Sequence, residues 1–249
     1  LRSGDFWCTM ETDGSGQIMK YEYILFDLDG TLTDSAPGIT ACVQYALHKM
    51  GIEEPDLHKL EPFVGPPLLD SFHSFYGFNE EQGRQAIVYY RERFSARGMF
   101  ENAVYPGVDK LLADLKAVGR KLAVASSKPE IYVEQILEHF GLRKYFDVVT
   151  GSGLDGTRTT KEEVVEEALR CLLPENLFRE MMETKGRYKY DTVVMVGDRR
   201  FDVEGAKEYH IVSVGVTYGY AVQGELAKAG ADEIVETVEE LAEVLLCRK

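Results

Sequence analysis

Apolar and polar positions follow two different rhythms along this chain, and the change between them divides it. Ile24, Leu25 and Phe26 form a short apolar run closed by Gly30, the pattern of a buried strand ending in a turn. From Pro37 to about Glu101 the spacing is helical. Ile39, Val43, Ala46, Leu47 and Met50 share one face of a first helix, and Ile87, Tyr90, Arg91 and Phe94 mark a second, more charged one. Between them Phe63-Val64-Gly65-Pro66-Pro67 reads as a rigid loop, because proline fixes φ and removes a backbone donor. Beyond Pro106-Gly107 the texture changes again. Helices are expected at 108–117, 131–140, 161–172 and 203–208, and strands at 121–125, 147–150, 192–196 and 211–214.

Strands alternating with helices imply an α/β fold, a parallel Rossmann-like sheet with helices on both faces. The strand at 24–26 belongs to that sheet, so the helical stretch after it is an insertion folded beside the sheet. The expected organisation is an N-terminal extension at 1–20, a core built from 21–36 and 102–249, and an all-helical cap at 37–101. Thr12 to Gly16 is small, polar and aperiodic, and 174–190 reads as a second, shorter polar insertion.

Composition narrows the function. A length of 249 residues fits one large domain with an accessory piece. The chain carries 28 basic against 42 acidic residues, a net charge of −14, which argues against a nucleic-acid polymer as partner. Cys8, Cys42, Cys171 and Cys247 form no C-x-x-C pair, so zinc and dithiol sites are unsupported, and reduced thiols in a cytoplasmic protein are expected. No apolar run approaches the ~20 residues of a membrane span, and the first residues lack the apolar core of a signal peptide.

Candidate chemistry sits at the strand ends, where open α/β sheets bind ligands. Asp27 and Asp29, two residues apart, begin on one side of the chain. Two buried like charges need a cation or a proton between them. The second strand ends in Ser126-Ser127-Lys128, the third leads to Thr160-Lys161, and the fourth ends in Gly197-Asp198 with Asp202 four residues on. Ordinary roles exist for several of these: Ser126 as a helix N-cap ahead of Pro129, Asp202 as a solvated acid near a helix start, Lys128 as an exposed lysine. Lys161 differs, because Thr160-Lys161-Glu162-Glu163 is a capping-box pattern that puts a cation against the helix dipole. A residue working against its local preference points to function. Gly151 to Gly156 fits the dinucleotide pattern G-x-G-x-x-G, but Thr157 to Thr160 separate it from the helix and it follows the third strand, so nicotinamide binding is set aside.

Asp27-x-Asp29-Gly30-Thr31, then Ser126, Lys161 and Gly197-Asp198-x-x-x-Asp202, in that order, resemble the haloacid dehalogenase-like hydrolases over nearly all of residues 21–246. The insertion resembles the subgroup whose cap lies between the first and second motifs. Val64-Gly65-Pro66-Pro67-Leu68 and Val104-Tyr105-Pro106-Gly107-Val108 look like phosphoglycolate phosphatases, and Gly151 to Arg158 looks like a 5′-nucleotidase-like branch. The resemblance implies that Asp27 attacks phosphorus and that Asp29 protonates the leaving oxygen and then activates water. Ser126 and Lys161 would hold the phosphoryl group. Mg²⁺ would lie on Asp27, the backbone carbonyl of Asp29 and Asp198, with Asp202 as a further ligand or a support for one. Gly65 and Arg91 are candidates for touching the leaving group.

The expected function is a Mg²⁺-dependent phosphomonoesterase acting on a small phosphorylated metabolite of the phosphoglycolate kind. No nucleic acid or membrane is expected as partner, and the chain would be a monomer or dimer. The alternatives are a nucleoside 5′-monophosphatase, a β-phosphoglucomutase-like phosphotransferase, which usually carries a polar group where Pro66-Pro67 stands here, and a non-catalytic binding protein.

Overall fold

The computed structural model describes residues 20–184 and 187–246. The elements run β1 (Tyr23–Phe26), β2 (Thr33–Asp34), α1 (Ala36–Lys49), α2 (Leu68–Tyr76), α3 (Glu80–Ala96), β3 (Ala103–Val104), α4 (Val108–Ala117), β4 (Lys121–Pro129) and α5 (Glu130–His139). They continue with β5 (Val148–Ser152), α6 (Lys161–Leu172), α7 (Glu175–Glu183), β6 (Tyr190–Gly197), α8 (Arg200–Glu208), β7 (Ile211–Val216), α9 (Glu225–Ala229), β8 (Glu233–Val235) and α10 (Val238–Leu246).

Six strands form one parallel sheet in the order β5-β4-β1-β6-β7-β8. From β1 the chain goes outward to β4 and β5, then returns to β1's other edge for β6, β7 and β8. That reversal puts the topological switch point at the end of β1, where such sheets bind ligands. Phe26 is level with Val124 on one side and Val196 on the other, so the residues just beyond these three strands converge.

Strand parity sorts the core into two layers. Ile24 and Phe26 pack with Leu112, Leu115 and Leu245 of α4 and α10. Tyr23 and Leu25 point the other way, to Val164 and Leu169 of α6 and Ala206 of α8. Each large apolar side chain buried this way contributes about 1.5–3 kcal/mol. The next odd position is Asp27, on the side where α6 and α8 begin.

The helical cap leaves and rejoins the core through the antiparallel pair β2–β3, two strands too short to show as a pattern in the sequence. In α1 the expected face is buried at Ile39, Val43, Ala46 and Leu47. Gly38 is required at its start, because a Cβ there would lie 2.1 Å from the Gly98 carbonyl oxygen. Phe72 anchors an aromatic cluster, with ring centroids 5.0 Å from Phe63 and 5.7 Å from Phe78. Asn79 and Gln82 close a capping box at the start of α3.

Three features depart from the sequence reading. The polar insertion at 174–190 contains a helix, α7, which buries Met181 in the α6–α8 layer. Leu177, Phe178, Met181 and Met182 give it a clear apolar stripe, which the polar composition of the segment as a whole outweighed. The β4 strand runs on to Pro129, past the expected end at 125. Residues 217–246 add α9, β8 and α10, and β8 has three residues at a sheet edge. Cys42 is buried and Cys171 exposed, whereas Cys8, Cys247 and all but the last residue of the 1–20 extension lie outside the described residues. No helix among the described residues is long and apolar enough to cross a membrane.

Candidate active site

Asp27 leaves β1 with its backbone N–H donated to the Val196 carbonyl (2.9 Å), which extends the ladder one residue into the loop. Its carboxylate meets Lys161 from the first turn of α6. Lys161 Nζ lies 2.7 Å from Asp27 Oδ1 and 2.9 Å from the Ala125 carbonyl oxygen, and both are acceptors for it. The same ammonium is 2.7 Å from Asp202 Oδ1. Thr160 and Glu163 form the expected capping box, so the cap fixes the helix start and thereby the lysine.

Asp198 follows β6 directly and is completely buried. Its Oδ2 accepts from the Tyr220 backbone N–H at 2.7 Å, while its Oδ1 has no hydrogen-bond partner among the described residues. Two glycines leave room for it: a Cβ on Gly30 would fall 2.1 Å from Asp198 Oδ2, and one on Gly219 would fall 2.5 Å away. Asp202, 2 % exposed, is not a solvated acid. Its Oδ2 accepts from the Arg199 N–H (3.0 Å) in the capping box of α8.

These carboxylates crowd one another. Burial pushes Asp27 up to about 6, against the pull of Lys161 and with added repulsion from Asp202 and Asp29. Burial raises Asp198 well above the ordinary carboxylate range, and Asp202 and Asp27 add to it. Burial alone would lower Lys161, but Asp202 and Asp27 more than reverse it and keep the ammonium charged. One lysine does not neutralise three carboxylates. Asp27, Asp198 and Asp202 each offer an oxygen, and the three atoms lie within 4.8 Å of one another. An all-oxygen set with surplus negative charge and an unpartnered buried oxygen fits a hard divalent cation such as Mg²⁺. The Asp29 carboxylate is outside this set.

Asp29 lines the same cavity as Asp27 but has a different partner. Its Oδ2 lies 3.1 Å from Lys128 Nζ, and its Oδ1 has no hydrogen-bond partner among the described residues. Lys128 is therefore not the exposed lysine expected from sequence. Its side chain is 7 % exposed, and the ammonium sits 4.5 Å from the centre of the Phe94 ring of α3. A core cation covered by a cap aromatic is a tertiary arrangement with no local sequence signal. Ser126 is buried within β4, and its Oγ accepts from the Lys128 N–H at 3.3 Å. It is not a helix cap, because α5 starts only at Glu130.

Asp27, Asp29, Ser126, Lys128, Lys161 and Asp202 line the core side of a cavity of about 660 Å³ between sheet and cap, with the fully buried Asp198 behind them. Gly65 and half-buried Arg91 line it from the cap. Two contributors escaped the sequence reading. Arg199 reaches the cap loop, and Tyr220, whose backbone holds Asp198, donates its hydroxyl to Asp34 Oδ1 (2.6 Å) and accepts from the Ala36 N–H (2.9 Å). Arg199 adjoins the Gly-Asp motif, the one signal that could have marked it.

Residues 24–216 match the family model of the haloacid dehalogenase-like hydrolases. A 5′-nucleotidase of Pseudomonas aeruginosa is 43 % identical, over 84 % of this chain and 88 % of that protein. The tyrosine-protein kinase PtkA of Mycobacterium tuberculosis is 39 % identical, over 90 % of this chain and 72 % of the other. A phosphoglycolate phosphatase of Neisseria meningitidis is 30 % identical, over 93 % and 97 %. Among solved structures, one described as a predicted phosphatase from Clostridium acetobutylicum superposes with a TM-score of 0.81 at 49 % identity, covering 91 % of this chain and 99 % of that one.

Proposed function

The chain belongs to the haloacid dehalogenase-like hydrolases and is a phosphatase of that family, and we propose that it is a Mg²⁺-dependent phosphomonoesterase working through an aspartyl-phosphate on Asp27. The observation that carries this is the buried Asp27–Lys161 contact at 2.7 Å beside Asp198 and Asp202. Asp27 is the carboxylate nucleophile: its oxygen bonds to phosphorus as the bond to the leaving oxygen breaks. Asp29 serves as the acid toward that oxygen. It then takes a proton from the water that attacks phosphorus and frees Asp27. Lys161 and the Ser126 hydroxyl face the phosphoryl oxygens, with Lys161 offsetting the charge that builds there. Mg²⁺ held by Asp27, Asp198 and the Asp29 carbonyl, with Asp202 as ligand or support, would supply a second positive charge against the phosphoryl group and keep Asp27 ionised. The cap, spanning about 37–101, covers the site and excludes water.

The size of the cavity bears on the ester. At about 660 Å³ it is in the ~300–1,000 Å³ range that takes drug-sized ligands, and glycolate would leave most of it empty. Leu68, Leu69, Ile87 and Val88 give its cap side an apolar strip, with Arg84 and Arg91 beside it. Of the two ester classes the sequence points to, this favours a nucleoside 5′-monophosphate over phosphoglycolate, in keeping with the name of the Pseudomonas relative.

The test is a panel of nucleoside monophosphates, phosphoglycolate and sugar phosphates with Mg²⁺. Inorganic phosphate should be released, EDTA should stop the reaction, and Asp27→Asn should abolish it. Wild-type kcat in Asp27→Asn would overturn the covalent route. Phosphoryl transfer to an added acceptor in place of water would replace hydrolysis by transfer. Turnover of phosphoglycolate alone would reverse the order of the two esters.

A further inference from the structure

Arg199 joins the metal side of the site to the cap by a route that none of the assigned roles uses. It follows Asp198 directly, and its backbone N–H is tied to Asp202. Its side chain, 15 % exposed, leaves the core. Nε donates to Glu225 Oε1 at 3.0 Å, and Nη1 donates to the Val64 carbonyl oxygen at 2.6 Å, across the cavity mouth. Glu225 is itself fixed, because Oε1 also accepts from the Arg200 N–H (2.9 Å) and Oε2 from the Val222 N–H (3.2 Å). The acceptor end is fixed too. Val64 is buried, Gly65 takes φ +101°, and a Cβ on Gly65 would lie 3.2 Å from Arg199 Cγ and Nη1. Pro66 and Pro67 follow and limit how the loop can flex.

We propose that Arg199 is a positioning residue, a strap whose guanidinium, held by Glu225, fastens the 63–67 loop of the cap over the reaction centre and sets that loop's position relative to Asp198 and Asp202. A guanidinium is a planar fork that can donate to two acceptors in fixed directions. Lysine keeps the charge but places it as a single point at the end of a flexible stem. The strap therefore depends on the fork as well as on the charge. Gly65 acquires a second account besides contact with the leaving group: its φ of +101° favours glycine, and a Cβ there would press on the strap at 3.2 Å.

The experiment compares wild type, Arg199→Lys and Arg199→Met by amide hydrogen exchange in the Mg²⁺-loaded protein with orthovanadate as phosphoryl mimic. Charge-assisted hydrogen bonds contribute enough that losing one shifts a local opening equilibrium by about ten-fold. Exchange in the segment around 63–69 is expected to rise about ten-fold in both variants, with exchange in β6 unchanged and the affinity for Mg²⁺ unchanged in Arg199→Lys, which keeps the charge beside Asp198. With p-nitrophenyl phosphate, kcat/KM should fall about ten-fold in both variants. Wild-type exchange at 63–69 in Arg199→Lys would overturn the strap and leave Arg199 as a cation only. Raised exchange throughout the core would mean a folding defect, and would overturn it equally. The exchange readout needs no turnover, so it separates the strap from the proposed reaction.

Discussion

Asp29 and Asp27 differ by two positions and by everything around them. Asp27 is held by Lys161 within the metal-capable set, whereas Asp29 has one oxygen beside Lys128 and one with no hydrogen-bond partner among the described residues. That second oxygen, on a group outside the metal set, is what a proton carrier needs. Asp29→Asn is expected to slow turnover by about 10²–10⁴-fold while Mg²⁺ affinity, measured by calorimetry, stays near wild type. An unchanged rate would remove the acid–base role. The pairing of Asp27 with Asp29 was legible because alternation along a strand is a local rule. Lys128 was not legible, because its burial depends on Phe94, which the chain delivers from the cap. Asp202 lies between the two. Its spacing from Asp198 was visible, but its burial against Lys161 was decided by the packing of α6 on α8.

Two elements carry the site because of how they start. The Thr160 side chain accepts from the Glu163 N–H at 3.4 Å while Glu163 reaches back to the Thr160 N–H at 3.2 Å, and this places Lys161 at the first helical position. Thr160→Ala is expected to cost about 1 kcal/mol, as lost caps do, seen as a lower midpoint in urea, and Thr160→Ser should restore most of it. At the start of α8 the constraint is steric. A Cβ on Gly197 would lie 2.1 Å from Asp202 Cγ, and that carboxylate is tied to the Arg199 N–H. Gly197→Ala is therefore expected to destabilise the fold by about 1–3 kcal/mol, the range of overpacking, and to weaken Mg²⁺ binding, both measurable by calorimetry. The capping box and the Gly-Asp pair are local patterns, and for that reason α6 and the end of β6 could be placed from sequence. The edge strand β8 could not, since its three residues are stabilised by what they pair with; α7 carried a local stripe that the polar segment around it masked.

The charge balance of the whole molecule gives a pH dependence with a definite sign. A carboxyl raised from its ordinary value of about 3.9 keeps its proton in the fold at pH values where the unfolded chain has lost it. Asp27 is raised to about 6, and burial also raises Asp198 well above its ordinary value. Over that window the native state binds more protons, so the contribution of these groups to stability falls as pH rises. Asp147 acts in the opposite sense at acid pH: despite its burial, Lys116 and the Leu122 amide hold it below its ordinary value, and that stability is lost as pH drops. The discriminating quantity is the change caused by metal. A divalent cation takes the place of the protons, so the rise in Tm on adding Mg²⁺ should be larger at about pH 8 than at about pH 5. Equal shifts at both pH values, against an EDTA reference, would mean that the carboxylate cluster does not hold the ion.

By itself the sequence determined the alternation of strands and helices, the helical insertion after the first strand, and the order of acidic, hydroxyl and lysine residues at strand ends. Each follows from a local physical rule: the side-chain period, capping, or the turn preference of glycine. Only the tertiary structure decided that β1 lies between β4 and β6 and so brings Asp27, Ser126 and Asp198 together. It also decided that Lys161 serves two carboxylates, and that the cap meets the core through Lys128 and Arg199. Contacts between residues far apart in the chain depend on how whole layers pack, and no local pattern encodes them.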